Sequence, residues 1–249
     1  MTDTATLAGK VALVTGAGRG IGRAIAERLA ACGARLVVHY GSSEEGASAT
    51  ADAIRQGGGE AIIHRADISR RGEVQALFAA IDAAFGRIDI VVNSAGVSGG
   101  GNLAELDEDQ LEWMLGVNLR GPLFVASEAA RRLGEGGRIV NLSSSLGEFP
   151  MAGSGIYSAT KVAIKSFTES WAKELGKRGI TVNTVIPGAT APGMMDSAPP
   201  GFRAFFEQAS PFGRIGTAGE IAEVVAFLAS PAASWVSGAH ILANGAANT

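Results

Sequence analysis

The chain has one cysteine, Cys32, so no disulfide can form within it, and a reducing, cytoplasmic setting is expected. Cys32 closes an apolar helical pattern that includes Ile25 and Leu29, where packing is its expected role. Histidine is nearly as scarce. His39, His64 and His240 show no ligand spacing with one another or with the cysteine, so no metal site is expected. Positive charge is in short supply too: the formal net charge is -3 and no basic run occurs, which argues against a nucleic-acid partner. Apolar runs such as Val224 to Ala229 fall far short of the roughly 20 residues a membrane span needs. The opening MTDTATLAGK has neither the apolar core of a secretory signal nor a basic amphipathic pattern, so no membrane association is expected.

What is present is apolar, glycine-rich and regularly punctuated. Hydrophobic residues make up 47% and charged residues 18%, enough for a sizeable core and far from a disordered composition. No stretch resembles an interdomain linker, so residues 1–249 are expected to form one domain. Short β-branched runs occur at Val11–Thr15, Leu36–Tyr40, Ala61–Ala66, Ile88–Asn93, Arg138–Leu142, Thr181–Ile186 and His240–Ala243. They are apolar throughout rather than alternating, as parallel strands covered on both faces are. Helical patterns separate them near Ile21–Ala31, Glu44–Gln56, Arg70–Phe85, Asp107–Leu133, Tyr157–Lys177 and Ala218–Leu228. This alternation predicts an α/β fold: a single doubly wound, Rossmann-type parallel sheet of about seven strands, with helices on both faces.

One segment breaks the rhythm. Ala189–Gly213 holds Pro192, Pro199, Pro200 and Pro211 together with Met194, Met195, Phe202, Phe205 and Phe206. An insertion just beyond a strand end reads as a flap over a substrate; the other reading is a surface loop that packs its own aromatics.

VALVTGAGRGIG, from Val11 to Gly22, runs from an apolar strand straight into a helical pattern. A glycine turn there lets backbone approach a pyrophosphate at the positive end of the helix. The spacing is not G-x-G-x-x-G, since after Gly16 and Gly18 the third position falls on Ile21; Gly16, Gly20 and Gly22 form G-x-x-x-G-x-G instead. That turn resembles the coenzyme signature of short-chain dehydrogenases/reductases. The likeness continues from about Leu7 to about Gly245. Asp67 and Ile68 match the pair beside the adenine, and Asn93-Ser94-Ala95-Gly96 resembles the family's NNAG motif. Asn118, in VNLRG, matches a helix asparagine of the catalytic tetrad, and Pro187-Gly188 matches the turn beside the nicotinamide. The resemblance implies coenzyme contacts from Gly16, Arg19, Gly20, Ile21 and Gly22, from Tyr40, Ser42 and Ser43, and from Asp67 and Ile68. It adds Asn93, Ala95 and Gly96, then Tyr157 and Lys161, and finally Pro187, Gly188 and Thr190.

Tyr157 and Lys161 are four apart at the start of a helical pattern and so share one face. A tyrosine ordinarily titrates near about 10, and a nearby ammonium together with an oxidised nicotinamide would favour the phenolate. Tyr157 would then serve as acid for ketone reduction and base for alcohol oxidation. Taken alone, the pair also suits an aromatic packed beneath a lysine stem. LSSS, from Leu142 to Ser145, ends a strand at the family's distance upstream, and Ser144 is the residue implied to hold the substrate oxygen. Ser143 and Ser145 are rivals better suited to capping or turns. Asn118 would anchor a water linking Lys161 to solvent.

The second strand ends at Tyr40, where NAD enzymes of this type carry an acid; Glu44 and Glu45 come later and suit a helix start. Arg19, Ser42 and Ser43 suit a 2′-phosphate, so NADP(H) is the expected coenzyme and NAD(H) the alternative. The pattern is closest to 3-oxoacyl-carrier-protein reductases and related ketone reductases. It implies a homotetramer acting on a small carbonyl or secondary alcohol, a 3-oxoacyl thioester among the candidates. NAD-linked sugar or steroid-type dehydrogenases share the same core. A catalytically silent nucleotide sensor is the remaining alternative, disfavoured because Asn118, Ser144, Tyr157 and Lys161 are all present. Two departures from the family stand out: Pro192 occupies a position where a threonine is usual, and Asn244-Gly245-Ala246 replaces Asp-Gly-Gly.

Overall fold

Seven parallel strands run through the centre of the structure, a computed structural model that describes residues 6–198 and 201–247. In chain order they are β1 (Val11–Val14), β2 (Arg35–Tyr40), β3 (Ala61–Arg65), β4 (Ile90–Asn93), β5 (Arg138–Leu142) and β6 (Thr181–Pro187), then a last strand after a small separate sheet. The small sheet pairs β7 (Thr190–Ala191) with β8 (Gly216–Thr217), and β9 (His240–Ala243) completes the main one. The spatial order is β3-β2-β1-β4-β5-β6-β9. Strand order therefore reverses between β1 and β4, which opens a crevice at the carboxyl ends of the strands. The doubly wound sheet expected from the sequence is the one observed.

Nine α-helices lie among the described residues: α1 (Gly20–Ala31), α2 (Glu44–Gln56), α3 (Arg71–Phe85), α4 (Glu108–Leu115), α5 (Gly121–Arg132), α6 (Ser145–Glu148), α7 (Gly155–Leu175), α8 (Phe202–Ala209) and α9 (Ala218–Ala229). The strands alternate their side chains between two cores. Ala12, Val14, Leu36 and Val38 pack with Ile25 and Leu29 of α1, Ile54 of α2 and Val225 of α9. Val11, Leu13 and Val37 point the other way, towards Leu77 and Phe78 of α3 and Val125 and Ala129 of α5. Since both faces are covered, the strands carry apolar side chains on both. Among the described residues no helix is long and apolar enough to cross a membrane.

Two expectations change. The stretch Asp107–Leu133 is not one helix: a π-helical segment, Gly116–Arg120, separates α4 from α5. Pro122 has no N–H to offer the carbonyl four residues back, that of Asn118, so the regular ladder is interrupted there. The insertion is not a plain loop either. β7 and β8 tie its two ends together, and α8 buries Phe206, whose ring stands edge-on to Phe202 at 5.0 Å and to Phe205 at 5.3 Å. Pro199 and Pro200 of the insertion, and the chain before Thr6, lie outside the described residues.

Candidate active site

The glycine turn between β1 and α1 is built by close approaches that only glycine allows. A Cβ on Gly22 would stand 2.3 Å from the Gly16 carbonyl oxygen, and one on Gly16 would stand 2.8 Å from Cα of Ala95. Gly16 and Gly20 also have positive φ, 68° and 55°. The turn is held from below. Thr15 Oγ1 accepts the N–H groups of Ser94 and Ala95, both at 3.0 Å, which ties the segment after β4 to the end of β1. His39 Nδ1 accepts the Gly16 N–H at 3.2 Å, while its Nε2 bonds the Ala66 carbonyl at 2.9 Å. Burial lowers the His39 pKa to about 4, so the ring is neutral with its proton on Nε2. Arg19, at the start of α1, is exposed and makes no side-chain cap, which leaves the first N–H groups of the helix facing the crevice.

Across the crevice stands a cluster of polar side chains that are almost wholly buried. Tyr157 is 8% exposed and Lys161 is 5% exposed, both on the first turns of α7. Lys161 Nζ donates to the Leu142 carbonyl at 3.2 Å and lies 5.7 Å from the centre of the Tyr157 ring. Burial drives the two groups apart: it lowers the Lys161 pKa to about 8 and holds that of Tyr157 above its ordinary value, against a hydrogen bond from Ser144 that pulls it down. Ser144 caps α6, its Oγ accepting the Leu146 N–H at 3.2 Å. Asn118 sits in the π-helical segment; its Oδ1 accepts the Val97 N–H and its Nδ2 donates to the Val97 carbonyl, each at 2.8 Å.

These residues fit a dinucleotide. A Cβ on Gly96 would fill the space 3.3 Å from Lys161 Nζ and 3.5 Å from Asn118 Oδ1, and Asn93 Oδ1 is buried at the end of β4 without a partner. The glycine turn provides the narrow approach a pyrophosphate requires, and Ala95 and Gly96 link it to Lys161: Gly16 approaches Ala95, and Gly96 approaches Lys161 Nζ.

Comparison with known proteins decides the family. The enoyl-(acyl carrier protein) reductase family matches residues 16–247. A short chain dehydrogenase of Passalora fulva is 40% identical over 97% of this chain and 95% of its own length. A probable tetrahydroxynaphthalene reductase of Zymoseptoria tritici is also 40% identical, over 98% of this chain and 97% of its own. The chain belongs to the short-chain dehydrogenase/reductase family. A crystal structure of the angucycline C-6 ketoreductase LanV with bound NADP superposes with a TM-score of 0.92 at 39% identity, covering 96% of each chain.

In this short-chain dehydrogenase/reductase several of the candidate side chains are engaged differently than expected. Capping falls to Ser144 itself, whereas Ser143 Oγ donates to the Lys161 carbonyl at 2.8 Å. Asn118 spends its side-chain amide on Val97 and on Thr160 Oγ1 (3.3 Å). Ile68 buries its side chain against Gly121, leaving only its backbone for a ligand. Asp67 is tied to Ser69 N–H at 3.0 Å and to Arg70 at 3.2 Å. Thr190 Oγ1 donates to the Gly188 carbonyl at 2.9 Å, and Gly188 lies against Asn244, where a Cβ would come within 2.8 Å. The end of β2 is not free of acid, because the Tyr40 hydroxyl bonds Glu44. Arg65 lies opposite Tyr40 in the β2–β3 register and donates to the Gly41 carbonyl at 3.3 Å.

Thr15, His39 and Arg65 were not among the sequence candidates. A histidine with no ligand partners carries no motif, and only the pairing of β2 with β1 and β3 brings it under Gly16. His39 should therefore resist protonation. An NMR titration of the three histidines should show it neutral, with its proton on Nε2, from about pH 8 to about pH 5, since a depressed pKa contributes stability that is lost only as pH falls from the unfolded value of about 6.5. A His39 midpoint near its ordinary value would refute the arrangement.

Proposed function

We propose that the protein is an NADPH-dependent ketoreductase, in which Tyr157 delivers a proton to a carbonyl oxygen and Ser144 holds that oxygen in place. The observation that carries this reading is the buried phenol of Tyr157, set against the Ser144 hydroxyl that lowers its pKa and adjacent to a buried lysine. The coenzyme supplies the hydride when reduced and a positive ring charge when oxidised. Tyr157 donates its O–H to the substrate oxygen, which becomes the hydroxyl of a secondary alcohol. Ser144 donates a hydrogen bond to the same oxygen as charge develops there. Lys161, with its proton loosened to about pH 8, stands ready to restore the tyrosine proton, and Asn118 keeps the Val97 segment in register beside it. Ala95, Gly96, Pro187 and Gly188 border the space in which the nicotinamide ribose and ring would lie.

For the substrate, a ketone on a fused aromatic ring system is the favoured class, because reductases named for tetrahydroxynaphthalene and angucycline substrates match nearly the whole chain. A 3-oxoacyl thioester is the second reading; the matching family is named for reductases of enoyl groups on an acyl carrier protein, a related class of acyl thioester. The segment of residues 189–213 would cover the substrate, since its Gly193 comes so near the phosphate turn that a Cβ on Gly20 would lie 3.0 Å from the Gly193 Cα. The same reading makes the chain one subunit of a homotetramer, which would cover the exposed Trp113 of α4 and Trp235 beside β9.

NADPH consumption with a panel of ring ketones and 3-oxoacyl thioesters tests the reaction class. Tyr157→Phe should lower turnover of the best ketone about 10²–10⁴-fold while leaving NADPH binding intact; near-parental turnover would remove Tyr157 from the chemistry.

Preference for NADPH is supported by the NADP bound to LanV and by Arg19, whose forked donors suit the 2′-phosphate. The Glu44 carboxylate works against it but is engaged by the Tyr40 hydroxyl. Arg19→Ala should raise the Michaelis constant for NADPH roughly 10- to 100-fold and leave that for NADH nearly unchanged. Equal weakening of both coenzymes would make Arg19 a turn residue.

A further inference from the structure

Helix α6 is a single turn, Ser145–Glu148, and one turn of helix does not hold itself together in water. Ser144, which caps it, is therefore placed by whatever anchors α6 to α7. Three contacts do so. Ser143 Oγ donates to the Lys161 carbonyl at 2.8 Å. Gly147 lies so near α7 that a Cβ on it would stand 3.3 Å from Lys161 Cβ and 3.4 Å from the Val162 nitrogen. At the end of α6, Lys165 Nζ donates to both Glu148 oxygens, at 2.8 and 2.9 Å, with the two side chains only 26% and 25% exposed.

The spacing gives this ion pair a purpose. Glu148 is four residues beyond Ser144, and Lys165 is four beyond Lys161. The pair thus joins the end of α6 to α7 one turn beyond Lys161 and about two turns beyond Tyr157. We propose that Glu148 and Lys165 are a positioning pair that sets the Ser144 hydroxyl against the Tyr157 hydroxyl, and through it the proton affinity of the tyrosine. The proposal rests on the reading of Ser144 and Tyr157 given above. Neither member of the pair touches the reacting atoms. The charged groups around them are Lys161 and Glu169 on α7, the latter bonded to His240 of β9 at 2.9 Å and flanked by Lys173. Near the tyrosine itself the charged neighbour is Lys161.

The test compares Glu148→Gln, Lys165→Met and the exchanged pair Glu148→Lys/Lys165→Glu in the full-length enzyme, with NADPH and its best ketone. Each single variant should lower kcat about 10-fold, the scale expected when a reacting group is misplaced by a fraction of an ångström, with the Michaelis constant for NADPH unchanged. In the reverse direction, the pH profile of alcohol oxidation should move to higher pH, because a tyrosine without its serine hydrogen bond forms phenolate less readily. The exchanged pair should restore most of kcat and return the profile to its parental position. Ser144→Ala should cost much less in the Glu148→Gln background than in the parent, since both remove the same hydrogen bond.

Parental kcat and pH profile in the single variants would overturn the proposal. So would full additivity with Ser144→Ala, or a parallel loss of melting temperature, NADPH affinity and kcat, which would mark the pair as merely structural. If Ser144→Ala slows the parent but Glu148→Gln does not, the proposal alone falls. If Ser144→Ala leaves the parent unaffected, the reading of the site falls and the proposal with it.

Discussion

A lysine withdrawn from water has to replace the hydration of its ammonium group, and what it finds decides how firmly it keeps its proton. Lys161 finds one carbonyl, that of Leu142, and the open space beside Gly96. Its pKa falls to about 8, while the same burial holds the neighbouring phenol of Tyr157 in its neutral form. Much of the local structure serves this placement. The carbonyl comes from the end of β5, and the two ionisable side chains come from the first turns of α7. The adjoining hydroxyl comes from the cap of α6, a helix too short to exist without α7 beneath it.

The sheet beneath is stitched by polar side chains rather than by apolar packing alone. Asn93 Nδ2 donates to Asn141 Oδ1 at 2.9 Å, Asn141 Nδ2 donates to Thr168 Oγ1 at 2.8 Å, and Thr168 meets Thr184 at 2.7 Å. This chain crosses β4, β5 and β6 and includes α7 through Thr168, so the strand ends that border the crevice and the helix that carries Tyr157 share one network. Its members are buried and bonded; the Asn93 Oδ1 at the crevice end is the exception. A satisfied buried network of this kind fixes positions more tightly than interchangeable methyl groups do.

The inner strands were legible in the sequence because they are buried on both faces and so read as largely apolar runs with no alternation to misassign, unlike the half-buried edge strands β3 and β9. The site candidates were named through family resemblance, and the structure brings some of them together, Gly96 beside Lys161 and Asn118, and Ser144 beside Tyr157. What escaped was of two kinds. Some elements are too short to show a period: α6 has four residues and the π-helical segment before Pro122 has five. Other contacts join residues distant in the chain. His39 reaches Gly16, Thr15 reaches Ser94 and Ala95, and Arg65 reaches Gly41 only once the strands are paired. The identity of the capping serine belongs with these, since Ser143 and Ser144 are distinguished only by whether α7 or α6 lies in front of the hydroxyl.

The central claim is that Tyr157 is a buried neutral phenol whose proton affinity is set by its surroundings. Ultraviolet absorbance of tyrosinate against pH tests it directly, because the chain has only two tyrosines, Tyr40 and Tyr157. In the coenzyme-free protein both should titrate above the ordinary value of about 10, since burial raises both. With oxidised NADP bound, one tyrosine should titrate markedly lower, and that component should vanish in Tyr157→Phe. If both tyrosines stay high with the coenzyme bound, or the lowered component survives in Tyr157→Phe, the account of the site is wrong.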